Sequence, residues 1–359
     1  MVVSKGKPIY IGVATLLSGP DTPVGMEILQ GASSYVQDHP KVMGHPILLV
    51  PEDVGCQPNR ALQKAKEFCL SHPRPAVVIG YLCSSSTLAA LQIHRQCKLP
   101  LINVSSSDPR ITSRPGDWVV RLWTSRSNEA FIVARWARTI GYRNIALLYE
   151  KDAVSTSVKE AFERFLKKIY PRASAIAIEV DPAMPLSSAT DQIRRSVHLI
   201  YYIGEVIDIK SAWDGLSKKI LSRRWVMDGR VFIPPSATAP EAGHPGKLFR
   251  VALGLPTGNP KSPPFAFFRK RFGEPAVYTL AAYDAMDVFV QAFTKVAAND
   301  ATGTRWDPRA LMDGIRKVKI HGLTGKIAFD ERGDRRPVWG EIQRLTKKGW
   351  RTHWRLKAR

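Results

Sequence analysis

Four consecutive hydroxyls, Ser84-Ser85-Ser86-Thr87, stand where one pattern gives way to another. Before them runs an apolar, β-branched stretch, Ala76-Val-Val-Ile-Gly80; after them comes a helical pattern with Leu88, Leu91 and Ile93 on its apolar side. The order reads as a buried strand, a tight turn and a helix whose first turn carries hydroxyls. The first N–H groups of such a helix lack partners within it, the helix dipole is positive there, and the serine hydroxyls add donors at the same point. Such a point holds a small carboxylate without a lysine nearby. A lone serine cluster would do no more than cap a helix, but Ser18-Gly-Pro20 and Ser105-Ser-Ser107 follow two other expected strands. In a parallel sheet all three turns fall at the carboxyl ends of the strands, where small ligands bind.

The elements that must position these turns alternate regularly. Ile9–Ala14 reads as a strand, Ser18–Thr22 as its turn, and the next helix carries Met26, Leu29, Ala32 and Tyr35/Val36 at apolar spacing. Then come a strand at Pro46–Val50, a helix at Asn59–Leu70, the strand at 76–80, a helix at 87–97 and a strand at Leu99–Val104. This βαβα order implies a parallel sheet covered on both faces. A second series starts near Asn128 with a helix to Ile140, a strand at Asn144–Tyr149 and a helix at Ser155–Ile169. Ala175–Ile178, Leu199–Ile203 and Trp225–Met227 read as further strands, and the proline-rich stretch Pro256–Pro264 breaks the series. A long helix from Val277 to about Ala298 follows, and the tail, Leu323–Gly333 then Val338–Leu345, reads as strand, turn and strand. Phe265-Ala-Phe-Phe268 is read as core. The expected fold class is α/β, with two doubly wound parallel-sheet units and a segment that returns late.

At 359 residues, 44% hydrophobic and 23% charged, the chain is long enough for two cores. No apolar run is long enough to span a bilayer. The first eight residues pass into a strand with no apolar leader pattern, which fits either a cytoplasmic chain or one whose leader has been removed. Lys+Arg 53 against Asp+Glu 31 gives a net charge of +22. The cations are spread along the chain, with doublets at Lys167-Lys168, Arg194-Arg195, Lys218-Lys219, Arg223-Arg224, Arg335-Arg336 and Lys347-Lys348. No zinc-finger, helix-turn-helix or RNA-binding aromatic pattern accompanies them, so a solvated basic surface is expected and no specific nucleic-acid partner. Catalytic signatures are absent: no Gly-x-Ser-x-Gly, no P-loop, no His-Glu-x-x-His, and no Gly-x-Gly-x-x-Gly after the first strand. The histidines are scattered, with His39, His45 and His72 in turn contexts. Cys56, Cys69, Cys83 and Cys97 follow one another at 13, 14 and 14 residues, without a Cys-x-x-Cys pair. Zinc is therefore not expected, and neither metal nor cofactor enters the reading. Bridges and buried thiols both remain open for the four sulfurs.

These residues resemble the type I periplasmic substrate-binding proteins, in the leucine/isoleucine/valine-binding branch that serves ABC importers. The likeness runs from Ile9 to about Leu345 and rests most on Ile79-Gly-Tyr-Leu-Cys-Ser-Ser-Ser-Thr87 and Asp53-Val-Gly-Cys-Gln-Pro58. Ser18-Gly-Pro20, Tyr283-Asp-Ala285 and Gly325-Lys-Ile-Ala-Phe-Asp-Glu-Arg-Gly333 agree with a wider group. The resemblance implies two lobes, 1–121 plus 255–333 and 122–254 plus 334–359. It also implies a hinge near Arg121-Leu122, Gly254-Leu255 and Asp334, and a ligand held in the cleft between the lobes by their closure. It places Ser84 on the ligand carboxylate, Ser105 and Ser107 on carboxylate and ammonium, Leu82 and Cys83 along the same wall, and Tyr278 as an aromatic wall. Where the family carries aromatic residues this chain has Val24, Val154 and Glu205. The acid that receives the ammonium is Asp228 with a shift, or is replaced by Arg230. A disulfide between Cys56 and Cys83 is implied; Cys69 and Cys97, which close two successive helices, stay open between a second bridge and two thiols, with thiols the expectation.

The expectation is thus a non-enzymatic, monomeric, periplasmic receptor for a small amino acid or related carboxylate, working with a membrane permease of an ABC importer. The alternative is an intracellular ligand sensor of the same fold, cytoplasmic, which a Cys56–Cys83 bridge would count against.

Overall fold

The protein is described from a computed structural model covering residues 1–204, 216–228, 248–253, 263–346 and 348–358. It divides into two compact units, Met1–Thr124 with Leu255–Pro337 and Ser125–Gly254 with Val338–Arg359. Two of these divisions fall three and four residues later than the resemblance implies, and side-chain ties explain why. Trp123 packs on Tyr278 of unit one, with ring centroids 4.9 Å apart. Buried Arg121 donates to Asp334 at 2.7–2.8 Å, and Arg335 donates to the carbonyls of Thr324 and Lys326.

Unit one is built on β1 (Ile9–Thr15), α1 (Thr22–Asp38), β2 (His45–Asp53), α2 (Pro58–Leu70), β3 (Val77–Gly80), α3 (Ser84–Cys97), β4 (Leu101–Asn103) and β5 (Val119–Arg121). The sheet order is Lys41–Val42, β2, β1, β3, β4, β5, and all pairings are parallel except that of the short edge strand. Near-continuous apolar runs such as Val77-Val-Ile, fully buried, are what a parallel sheet covered on both faces requires.

Helix α1 departs from the expected phase. Its buried face is Gly25, Ile28, Gly31, Ala32 and Tyr35, while Met26 is exposed. The glycines, which do not read as apolar, mark the contact: a Cβ on Gly31 would lie 2.1 Å from the carbonyl oxygen of Thr279. His45, expected in a turn, opens β2 and is buried, with its ring nitrogens bonded to the Lys7 carbonyl and the Thr304 hydroxyl.

Unit two contains α4 (Ser127–Thr139), β6 (Asn144–Glu150), α5 (Ala153–Ile169), β7 (Ser174–Val180), α6 (Leu186–Thr190), β8 (Leu199–Ile203), α7 (Lys218–Leu221), β9 (Arg224–Met227) and β10 (Leu248–Leu253). The chain then returns to unit one for α8 (Pro263–Phe272), α9 (Val277–Val296), α10 (Pro308–Lys317), β11 (Ile320–Gly322) and β12 (Gly325–Phe329). It ends in unit two with the hairpin β13 (Val338–Thr346) and β14 (Gly349–Ala358). The seven-stranded sheet runs β14, β13, β10, β9, β8, β6, β7, antiparallel in its first two pairings and parallel in the rest.

The α/β reading with parallel sheets therefore holds, but β10, α8, α10 and β14 were not read from the sequence. β10 carries Arg250, whose guanidinium stacks 4.5 Å from the Trp350 ring, so a charged residue interrupts an otherwise apolar strand. In α8, Phe265 and Phe268 are core as expected, whereas Phe267 is exposed.

Candidate functional site

The turn after β3 depends on Gly80, at φ +143°, where a Cβ would lie 2.1 Å from the Ala14 carbonyl oxygen. The next carbonyls are held by side chains from the β4 loop. Asn103 Nδ2 donates to the carbonyls of Gly80 and Tyr81 at 3.0 and 3.1 Å, and Ser105 Oγ reaches those of Tyr81 and Leu82 at 2.9 Å each. Behind the turn, Tyr81 Oη meets His94 Nε2 at 3.0 Å, and His94 Nδ1 meets the Leu99 carbonyl at 2.9 Å. The carbonyl can only accept, so the ring proton is on Nδ1 and Nε2 accepts from the tyrosine. Burial pushes the His94 imidazole down to about 4, so it is neutral there.

Helix α3 starts at Ser84, and Cys83 at its N-cap makes no side-chain hydrogen bond to it. The Cys83 sulfur is bonded to Cys56, with Cα atoms 5.3 Å apart, and Ser86 Oγ adds a 3.3 Å bond to the Gly55 carbonyl. Cys69 and Cys97 are bridged as well, 6.0 Å between Cα atoms, so the question left open for the four sulfurs resolves as two disulfides. Ser84 Oγ accepts from the backbone N–H groups of Ser107 and Asp108, each at 3.3 Å. Among the described residues the hydroxyl proton of Ser84 has no acceptor, so Ser84 offers a donor beside the first-turn N–H groups.

Ser105 is different: it is buried, and its hydroxyl proton is spent on carbonyls. Ser107 is half-buried and gives its N–H to Ser84. Leu82 and Cys83 are half-buried beside them. Ser18 bonds Asp53, which also accepts from Leu17 N and from Arg60 at 2.9 Å. Burial pushes Asp53 up, but Ser18, the Leu17 N–H and Arg60 hold it below the ordinary carboxylate range. Ser18 therefore ties the first loop down.

Contacts between α1 and α9 rise in the same sense, Glu27 to Tyr278, Gly31 to Thr279 and Tyr35 to Asp287. The helices are parallel, and the N-terminus of α9 with Tyr278 lies at the carboxyl edge of the unit-one sheet. Tyr278 is half-buried against Trp123, and its N–H donates to Glu27 Oε2 at 3.3 Å. Burial raises the Glu27 carboxyl, with the Tyr278 N–H opposing. Val24 lies exposed in the first turn of α1.

Unit two presents charges at its own carboxyl edge. Asp228, fully buried after β9, gives its N–H to the Tyr202 carbonyl and accepts from Arg126 Nη2 at 2.9 Å. Arg126 Nη1 also donates to Glu129 at 3.2 Å, and Glu150 accepts from the Tyr202 hydroxyl at 2.6 Å. Burial pushes the Arg126 guanidinium down, and Asp228 and Glu129 more than offset it, leaving it raised. Asp228 is thus engaged by a guanidinium, a partner that sequence reasoning missed. Val154 sits in the first turn of α5, its N–H on the Asp152 cap at 2.7 Å and its side chain packed on the unit-two core. Glu205 and Arg230 lie outside the described residues.

A cavity of about 380 Å³ in unit two, lined by Ala252, Leu253, Trp339, Gly340, Glu341 and Arg355, includes none of these residues. Among the described residues no His, Cys, Asp and Glu group is arranged for a metal ion, and no helix is long and apolar enough to cross a membrane. Asn103, Ser106, Trp123, Glu27 and Arg126 went unread. Only Asn103 left a signal, an amide at the end of an apolar strand that must find partners when buried.

The model of the receptor family ligand binding region matches residues 29–347. The chain belongs to this family. Within it, the branch is that of the type I periplasmic binding proteins related to the branched-chain amino acid binders. An amino acid binding protein of Pseudomonas aeruginosa is 22% identical over 336 residues, 91% of this chain and 87% of its own length. A leucine binding protein from Thermotoga maritima superposes with a TM-score of 0.70 at 19% identity, covering 97% of this chain and 98% of its own. A solute binding protein of an ABC transporter from Rhodopseudomonas palustris, solved with p-hydroxybenzoic acid, gives a TM-score of 0.72 at 18% identity and 98% coverage of both chains. These family relatives are binding proteins, not enzymes.

Proposed function

We propose that this protein is the solute receptor of an ABC importer, taking a small amino acid or related carboxylate and docking its carboxylate at the β3–α3 turn. The observation that carries this reading is Ser84: its oxygen is held by two backbone N–H groups while its own proton remains to be given, beside the first-turn N–H groups of α3. Tyr278 with Trp123 offers an aromatic wall on the same edge. The protein binds and releases without chemistry, acts as a monomer and hands its ligand to a membrane permease. Two disulfides favour the periplasm over the reducing cytoplasm that an intracellular sensor would occupy.

A second ligand class is favoured by one specific observation. Asp228, the residue expected to receive an ammonium, is already engaged by Arg126. That favours a carboxylate lacking an α-amine, a class to which the p-hydroxybenzoic acid of one solved relative belongs. The test is a thermal-shift screen of amino acids against benzoates and aliphatic acids, repeated on Ser84→Ala. Stabilisation by one class, lost in the variant, supports the site; stabilisation that Ser84→Ala leaves unchanged rejects it. A response confined to amino acids rejects the second class.

A further inference from the structure

The basic doublets that lie scattered in the sequence do not stay scattered in unit two. Lys167-Lys168 end α5, Arg194-Arg195 precede β8, and Arg223-Arg224 lead into β9. In a parallel sheet the residues before each strand, and the C-termini of the helices that feed them, share one edge, the amino edge. The antiparallel hairpin adds to it, because Phe249 at the start of β10 pairs with Arg344, and Arg344 pairs with Arg351. Lys348, in the turn of that hairpin, is at the same end. Cations far apart in the chain are therefore gathered by topology onto one face.

Their environment differs from that of the other charges. The ion pairs described for unit two involve Arg126, Lys151, Lys159 and Arg355. Among the described residues, Lys167, Lys168, Arg194 and Arg195 are exposed and have no carboxylate within ion-pair distance. Arg223 donates to the Arg195 carbonyl at 3.1 Å, and Arg224 stacks 4.8 Å from the Tyr142 ring. Arg224 is lowered first by burial and then by the nearby Arg344, a sign that like charges crowd there.

We propose that the amino edge of the unit-two sheet is an electrostatic docking surface for an anionic phospholipid bilayer. The cations at the ends of adjacent strands, which stand about 4.8 Å apart, are widened from a row into a patch by Lys167 and Lys168 at the end of α5, which packs over one face of the sheet. Laterally mobile headgroup phosphates can match such an array, whereas a nucleic-acid backbone needs a continuous track. Arginine forks suit phosphate in particular. Among the described residues no exposed large apolar side chain accompanies these doublets, so the attachment is superficial and reversed by salt. The surface lies at the opposite end of the unit-two strands from Glu150 and Asp228, so it does not depend on the ligand reading.

The test is co-sedimentation with vesicles of phosphatidylglycerol in phosphatidylcholine, with pure phosphatidylcholine as blank, in low and high salt. The native protein binds only the anionic vesicles, and only in low salt. Each cation near such a surface tightens binding about fivefold, so K167E/K168E/R194E/R195E lowers it by more than about 100-fold. K5E/K7E/K41E/K66E, exposed unit-one positions with the same total charge change, lowers it by far less. Should the quadruple variant melt early, K167E/K168E and R194E/R195E are read separately, each expected to lose about tenfold or more. An equal loss in the unit-one control makes net charge the cause and overturns the surface. Absent or salt-insensitive vesicle binding overturns it too. Tighter binding to duplex DNA than to vesicles, lost in the same variants, reassigns the edge to a polynucleotide.

Discussion

The turn after β3 in unit one and the carboxyl edge of unit two use opposite chemistry. In unit one the turn is built from neutral groups, the amide of Asn103, the hydroxyls of Ser105, Ser106 and Thr87, and backbone N–H groups, arranged so that Ser84 retains a proton to donate, while the Asp53–Arg60 ion pair stands in the neighbouring first loop. In unit two the edge is ionic, with Arg126 bridging Asp228 and Glu129 while Glu150 accepts from Tyr202. A preorganised set of neutral donors can accept a carboxylate without first breaking an ion pair. A buried ionic cluster resists change, because removing the shared guanidinium deprives two buried carboxylates of their counter-charge at once. The comparison predicts that unit-one edge residues govern affinity, whereas unit-two edge residues govern stability first.

Breaking the ionic edge has the largest expected effect. Arg126→Ala should cost about 3–5 kcal/mol by urea unfolding, because it removes the guanidinium that buried Asp228 and Glu129 share, and Asp228→Ala should cost less, because Arg126 keeps Glu129. A cost below about 1 kcal/mol would show that water reaches the pair and that Asp228 is available to a ligand. Next come the disulfides, both in unit one, which close loops with sequence separations of 27 and 28 residues. Replacing either pair by alanines should cost about 3–4 kcal/mol, read from the same melts with and without reductant. If unit two loses stability equally, the two units do not unfold as separate bodies.

The neutral edge sharpens the comparison. Ser84→Ala should weaken binding of whichever carboxylate stabilises the protein by about 1–2 kcal/mol while hardly moving the melting temperature. Ser105→Ala should do the reverse, costing no more than about 1 kcal/mol of stability, since Asn103 and Ser106 still donate to the same carbonyls, and less affinity than Ser84→Ala. Titration calorimetry beside melting curves separates the two; matched losses of affinity would return Ser105 to the binding set.

Near neutral pH the smallest change comes from His94. Its folded pKa is depressed to about 4 from 6.5, chiefly by burial, so its stabilising contribution is complete above 6.5 and lost as pH falls toward 4. The melting temperature should decline across that window, less so in His94→Gln. An identical decline in the variant would assign the acid sensitivity to other groups.

Two motifs show how far the residues alone could lead. The Ser84 cluster was legible because a β-branched run, a glycine and a hydroxyl-rich first turn each carry a local signal that needs no partner. Tyr283-Asp-Ala285 was legible only as a likeness. In the structure Asp284 is fully buried and takes the N–H groups of Leu323 and Thr324 at 2.7 and 2.8 Å, together with the Thr324 hydroxyl, which in turn accepts from Arg335. Burial pushes its carboxyl up to about 6, and those donors pull the other way. It anchors the β11–β12 turn to α9 from 39 residues away, a distance that no spacing rule covers.

The sequence by itself determined the alternation of strand and helix, the parallel sheets that follow from it, and the hydroxyl turn at their carboxyl edge, because these arise from periodicity and from interactions a few residues apart. Tertiary structure alone decided which sulfurs join, which serine spends its proton on the fold and which keeps it, that Asp228 answers to Arg126, and that dispersed lysines and arginines gather at one end of unit two. Each of those outcomes depends on groups distant in sequence meeting in space, and only the packed chain brings them within hydrogen-bonding or Coulombic reach.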